Sequence, residues 1–200
     1  MTRLMMIAVL LLLSACTTPV VQADVTRFHV LGAAPSPGSF TIVPDTTQVG
    51  SLEFQDYASQ VAEALAAKGW RPVAPGGKAD AQVSIHWGVG APNTVTWQSP
   101  SAVYTGFGWG PRTAWGAGGW TDPFPYWETR SITYFPRWLA VEMVESGGTG
   151  RKVLFEGRAV AEGKRREIAP VVPYLVRALF TGFPGSSGST VRVNVPIENP

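Results

Sequence analysis

The chain has 200 residues, 16 Lys and Arg against 14 Asp and Glu, and a formal net charge of +2. Near neutrality with the signs interspersed, and without a block of basic residues, it carries no electrostatic footprint for nucleic acid. Charged residues are only 15% of the chain while glycine and proline number 22 and 17, so turn and loop must take a large share.

The first sixteen residues set the context. Arg3 precedes an unbroken apolar run from Leu4 to Leu13, followed by Ser14, Ala15 and Cys16. Ten apolar residues in a helix rise about 15 Å, half of a hydrocarbon core about 30 Å thick, so the run is too short for a permanent span and reads as a cleaved signal peptide. The order Leu, small, small, Cys resembles the lipobox of bacterial lipoproteins, in which the thiol is alkylated by a diacylglyceryl group before cleavage. Cys16 is the only cysteine, so it has no disulfide partner within the chain. The expectation is residues 1–15 as signal peptide, Cys16 as the lipidated residue, and 16–24 as a short tether. Loss of Arg3 would leave a net charge of +1. Thr17 stands where many proteins retained in the inner membrane carry Asp. The resemblance therefore favours the periplasmic face of the outer membrane.

Residues 25–200 are long enough for one domain whose core needs no disulfide. Val25 to Leu31 predicts a strand with Phe28 and Val30 on one face and Arg27 and His29 on the other. Ser39 to Val43 predicts a second. The clearest helix is Leu52 to Lys68, where Phe54, Tyr57, Ala58, Val61 and Leu65 form one apolar stripe, Ser51 is placed to cap the start and Gly69 to end it. After an extended piece at Trp70 to Val73, Asp80 to Val89 alternates strictly, Ala81, Val83, Ile85, Trp87 and Val89 against Gln82, Ser84, His86 and Gly88. Leu139 to Val144 and Val153 to Ala161 flank the turn Ser146 to Gly150 and predict a hairpin. Pro170 to Phe180 predicts a second helix with both prolines in its first turn, and Thr190 to Val195 a closing strand. Together these predict an α+β two-layer sandwich: one largely antiparallel sheet with two helices on one face.

Several of these segments carry a family resemblance. The run Leu65, Ala66, Ala67, Lys68, Gly69, Trp70, followed by Ala79, Asp80, Ala81 opening a strand, is one. Val153 to Ala159 and Val172 to Phe180 with Phe183, Pro184, Gly185 are the others. They resemble the bacterial lipoprotein family known as domain of unknown function 4136 over most of residues 25–195. Phe155 departs from the tryptophan expected there, and the middle of the chain is longer and more aromatic than the pattern. The resemblance implies a periplasmic α+β domain behind a lipid anchor. It implies no assigned activity and brings no catalytic residues.

That middle, Trp97 to Trp127, holds nine aromatics, six glycines and only two charges, Arg112 and Asp122. As a contact surface, its candidates are Tyr104, Phe107, Trp109, Trp115 and Trp120, whose amphipathic rings suit a protein groove, a lipid interface or a sugar ring. As a mere connection, it folds back and buries aromatics on the uncovered sheet face. Its glycines argue against a regular helix or a long strand, and Trp97 and Trp127 are expected to be the more sheltered.

Catalysis finds little footing. His29 and His86 are the only histidines and have no metal-ligand spacing. Ser84, His86 and Asp80 are placed on one exposed strand face, but without a nucleophile turn. Lys164, Arg165 and Arg166 read as a solvated turn that could also touch anionic headgroups. Gly106, Gly108 and Gly110 lack the strand-then-helix context of a nucleotide site. No cofactor or metal is expected. The expected function is a non-catalytic envelope module that docks on or stabilises another component; the alternative is a module binding peptidoglycan or surface polysaccharide through the aromatic arm.

Overall fold

The computed structural model describes residues 19–32, 37–100, 127–147 and 150–197. Its strands are β1 (Val20–His29), β2 (Ser39–Ile42), β3 (Arg71–Pro72), β4 (Ala81–Val89), β5 (Asn93–Pro100), β6 (Trp127–Glu145), β7 (Val153–Gly163) and β8 (Ser189–Pro196). Two helices, α1 (Leu52–Ala66) and α2 (Val172–Phe180), cover one face. The sheet runs β3-β2-β4-β6-β7-β1-β8, with β5 attached to β6. Only the pairings of β2 with β3 and β4 are parallel. This is the α+β sandwich expected.

α1 forms where the apolar stripe and both caps agree. The Ser51 hydroxyl accepts from the Phe54 amide at 3.2 Å. At the other end Gly69 takes φ of +90°, its amide donates to the Ala66 carbonyl at 2.9 Å, and the Trp70 amide donates to Leu65 at 3.2 Å. This is a Schellman motif, closed by burial of Leu65 and Trp70 together. Phe54, Tyr57, Val61 and Leu65 are the buried residues. α2 is preceded by a 3-10 turn at Ala169–Val171 and buries six of its nine residues.

Two expectations fail in β1. The strand begins at Val20 and pairs with Pro196, so residues 20–24 are sheet and not tether. Its inward face is also the opposite one: Ala23, Val25 and Arg27 are buried, while Phe28 is 54% and Val30 68% exposed. The cause is the C-terminus of α2, whose last carbonyls have no helical partner. Arg27 Nε donates to Leu179 O at 3.0 Å, and Nη2 to Ala178 O at 3.1 Å and Thr181 O at 2.8 Å. A buried arginine supplies what the Leu179 and Thr181 oxygens lack and adds a donor to Ala178 O, which the Thr181 amide also reaches at 3.3 Å, so it takes the core position. Burial lowers its pKa, though from a value so high that it stays charged.

Candidate functional site

The segment before residue 101 is a strand that the glycine count concealed. β5 pairs antiparallel with the first half of β6, from Asn93 with Tyr134 to Pro100 with Trp127. β7 reaches only as far as Phe135, so among the described residues this half of β6 has β5 as its only neighbour. The result is a two-stranded ribbon projecting beyond the end of the main sheet. β5, following β4 along the chain, forms its first strand and the first half of β6 its second.

The side chains on the ribbon are set by a bulge. Val89 pairs with Arg137 and Asn93 with Tyr134, four residues along one strand against three along the other. One extra residue within Gly90–Pro92 reverses the alternation. Trp87 thus faces α1, where it stands edge-on to Tyr57 and donates to Glu53 at 3.0 Å, whereas Val95 and Trp97 join the helix-free side. Pro92 suits the bulge because it has no amide to offer a ladder. Gly90 is needed because a Cβ would lie 2.9 Å from the Pro136 ring.

The two faces of the ribbon therefore differ near its root. By register, Val95, Trp97, Ile132 and Tyr134 share one face with Asn93, Ser99, Glu128 and Arg130, while Thr94, Thr96 and Gln98 share the other with Thr129, Ser131, Thr133 and Trp127. Thr94 and Thr133 hydroxyls hydrogen-bond across the strands at 2.9 Å. Val95, Trp97 and Trp127 stand among the exposed large apolar residues, Trp97 at 40% and Trp127 at 62%. Trp115 and Trp120, against which these two were expected to be the more sheltered, lie outside the described residues. Among the described residues, no third layer covers the ribbon on which Trp97 and Trp127 sit. Arg130 and Glu128 pair with each other at 3.0 Å, leaving no unpaired charge on their turn of the ribbon.

Beyond the ribbon, the helix-free face of the sheet carries Trp138, packed over Gly88 and stacked beneath the Arg158 guanidinium at 4.6 Å. Asp24 and Glu162 border a shallow depression there, but Arg192 takes both Asp24 oxygens, at 2.8 and 3.1 Å, and that hydrogen-bonded pairing lowers the Asp24 pKa. An apolar groove of about 290 Å³ between α1 and β2 is lined by Phe40, Ile42, Phe54 and Ala58, with no charged group.

The other candidates disperse. Asp80 lies about 20 Å along the strand from His86, at about 3.3 Å per residue. Its carboxylate instead accepts from the Ser39 hydroxyl and amide, each at 2.7 Å. His86 lies 3.7 Å from Asp45. His29 faces the Leu31 and Gly185 carbonyls at 2.9 and 3.1 Å. Among the described residues, no three His, Cys, Asp or Glu side chains are grouped to hold a metal ion. Cys16, Tyr104, Phe107, Trp109, Trp115 and Trp120 lie outside the described residues. No helix among the described residues is long and apolar enough to cross a membrane.

Comparison with known proteins adds a family. Residues 26–185 match the family described as Domain of unknown function (DUF4136). Three solved structures are similar at low identity. A PDZ domain protein from Parabacteroides distasonis has a TM-score of 0.45 and 10% identity, covering 96% of this chain and 42% of its own. The PelC dodecamer from Paraburkholderia phytofirmans has a TM-score of 0.40 and 11% identity, with coverage of 82% and 98%. A DUF4136 family protein from Bacteroides thetaiotaomicron has a TM-score of 0.39 and 15% identity, with coverage of 78% and 92%. This chain thus spans less than half the length of the first. None of the curated proteins matches it.

Proposed function

The chain belongs to the DUF4136 family, which carries no assigned activity, and from the parts built on its sheet we propose a non-catalytic envelope module. It is held through lipidated Cys16 on the periplasmic face of the outer membrane, and the β5–β6 ribbon is its contact element. The observation that supports this is the ribbon itself. An isolated two-stranded ribbon is marginal in water, yet this one leaves Val95, Trp97 and Trp127 exposed while the domain core is complete without them. Exposed aromatics on a projecting element suit recognition.

The test is photo-cross-linking in intact envelopes from a reactive residue at Thr96, on the ribbon, compared with one at Glu63, on the outer side of α1. Adducts from position 96 and none from 63 are expected. Adducts from 63 alone would move the contact surface to the helices. Co-sedimentation of the protein with purified sacculi, lost on Trp97→Ala, would replace docking by glycan binding.

A further inference from the structure

We infer that the ribbon end of the domain is a membrane-facing surface, and that the partner of the ribbon is the anionic interface of the same bilayer that holds Cys16. The inference rests on the lipidated reading of Cys16 and names the partner of the contact element proposed above.

The topology decides which end of the sheet faces the anchor. Asp24, Val160, Trp138 and Gly88 are level with one another across β1, β7, β6 and β4. From that level, β1 traced back toward its start and β6 traced back toward its start run the same way, because each is antiparallel to β7. The ribbon therefore projects from the end of the sheet at which β1 begins, where Pro19 is still held by a hydrogen bond from the Ile197 amide at 2.9 Å.

The lengths then constrain the geometry. Cys16 is three residues from Pro19, which lets it reach at most about 11 Å from Pro19. Pro19 is five residues before Asp24 and so level with Thr133. From Thr133 the ribbon continues six residues to Trp127, about 20 Å at 3.3 Å per residue. Two strand steps of about 20 to 25° each separate β6 from β1, which shortens the projection to about 14 Å. That still exceeds the tether. With β1 upright on the membrane, a lipid-held Cys16 brings the ribbon's outer residues to the bilayer surface or into it.

The side chains at this end fit such a position. Val20, Val49, Leu52, Val95, Trp97 and Trp127 are six of the nine exposed large hydrophobics among the described residues, and all lie here. Val20 starts β1, and Val49 and Leu52 flank the start of α1, where Glu53 meets Trp87 near the ribbon-side end of β4. Tryptophan and tyrosine are the side chains of a membrane interface, with an apolar ring and a polar N–H or O–H. Cations are here too. Lys164, Arg165 and Arg166, all exposed, follow directly on Gly163, which pairs with Phe135 at the root of the ribbon. Glu162 and Glu167 flank them and offset part of that charge. Cations near an anionic leaflet are attracted to it, and two weak signals added to a lipid chain make a firm seat.

The experiment uses the lipidated protein carrying Gln98→Cys, since the only native cysteine is occupied by lipid. An environment-sensitive fluorophore on that thiol, in vesicles of phosphatidylethanolamine and phosphatidylglycerol, should shift its emission to the blue and lose most of it to nitroxides on the lipid chains. The same label at Lys68→Cys, just beyond α1 at the opposite end, should keep its emission. Replacing Lys164, Arg165 and Arg166 by Gln should weaken the Gln98 quenching in these vesicles. Mass spectrometry of the N-terminus runs alongside. An unshifted, unquenched Gln98 label on protein with acylated Cys16 overturns the membrane-facing surface and leaves the anchor standing. An unacylated Cys16 removes the premise and the surface with it. Quenching that ignores both the three cations and the phosphatidylglycerol overturns the anionic part of the inference.

Discussion

Arg27 Nε donates to the Leu179 carbonyl at 3.0 Å, joining β1 to the last turn of α2 across 152 residues of chain. With its bonds to Ala178 and Thr181, this one side chain gives donors to the Leu179 and Thr181 oxygens and a second donor to Ala178 O, which the Thr181 amide also reaches at 3.3 Å. Arg27→Ala removes the donor from the buried Leu179 oxygen and the part-buried Thr181 oxygen, at about 1 to 3 kcal/mol for each left unsatisfied and less where water enters. We expect a loss of at least about 3 kcal/mol in urea unfolding. Arg27→Lys should recover only part of it, because an ammonium on a flexible stem lacks the planar fork that spans three carbonyls. A lysine variant as stable as the parent would show that charge alone is sufficient.

Gly157 is a second fixed point. The Phe155 ring lies over it, so a Cβ at 157 would stand 2.7 Å from that ring and 2.9 Å from Leu179 Cδ1. Both neighbours are fully buried. Gly157→Ala should cost about 1 to 3 kcal/mol as overpacking, and a smaller ring-free residue at 155 in the same protein should recover part of the loss. Thermal melts of Gly157→Ala with and without Phe155→Leu measure this. If the single variant melts with the parent, β7 yields more readily than the contacts imply.

These two contacts also mark where sequence patterns stop being informative. α1, β4 and the β6–β7 hairpin were legible because apolar periodicity, caps and turn residues all agreed. The face of β1 was not, because an arginine at the core position looks polar until the helix end above it is known. Residues 20–24 carry Val20, Val21 and Ala23, which a short tether also tolerates, and only pairing with β8 reveals them as strand. β5 was masked differently: Thr94, Val95, Thr96 and Trp97 alternate, but Pro92, Pro100 and the glycines beyond pointed to a connection. The bulge that turns Trp97 toward the helix-free side is a difference of one residue between partner strands. Neither strand shows it alone.

Acid should expose the clip between β2 and β4. Asp80 accepts from the Ser39 hydroxyl and amide, and these hydrogen bonds, with Arg71 nearby, hold its pKa below the ordinary carboxylate value of 3.8. A depressed folded-state pKa means that the contribution to stability is present above the unfolded value and is lost as pH falls through the folded one. Asp80→Asn should therefore lower stability at pH 7 and flatten the fall in stability below about pH 4. Ser39→Ala should do the same more weakly, since the backbone amide remains. Denaturant midpoints followed from pH 7 to pH 2 provide the comparison, and an unchanged acid limb in Asp80→Asn would assign that limb to other carboxylates such as Asp24, whose pKa Arg192 also lowers.

The tryptophans offer a test in which one substitution type has opposite consequences according to position. Trp70 follows the glycine that ends α1 and is 5% exposed, packed in the core with Leu65. Truncating such a ring to Ala leaves a cavity and costs about 3 to 5 kcal/mol. Trp97 and Trp127 stand on the ribbon at 40% and 62% exposure, on opposite faces and outside the core. Exposed positions of this kind usually change stability by within about 0.5 kcal/mol each. The double variant Trp97→Ala with Trp127→Ala should therefore melt within a few degrees of the parent, and Trp70→Ala well below it. The reason lies in the sheet: β7 ends at Gly163, so among the described residues no third strand reaches the ribbon's half of β6, and both helices lie over the main sheet. A double variant destabilised as strongly as Trp70→Ala would mean that the ribbon's aromatics are part of the folding core, and the contact element proposed for this family member would have to be sought on the helix-free face around Trp138 and Arg158.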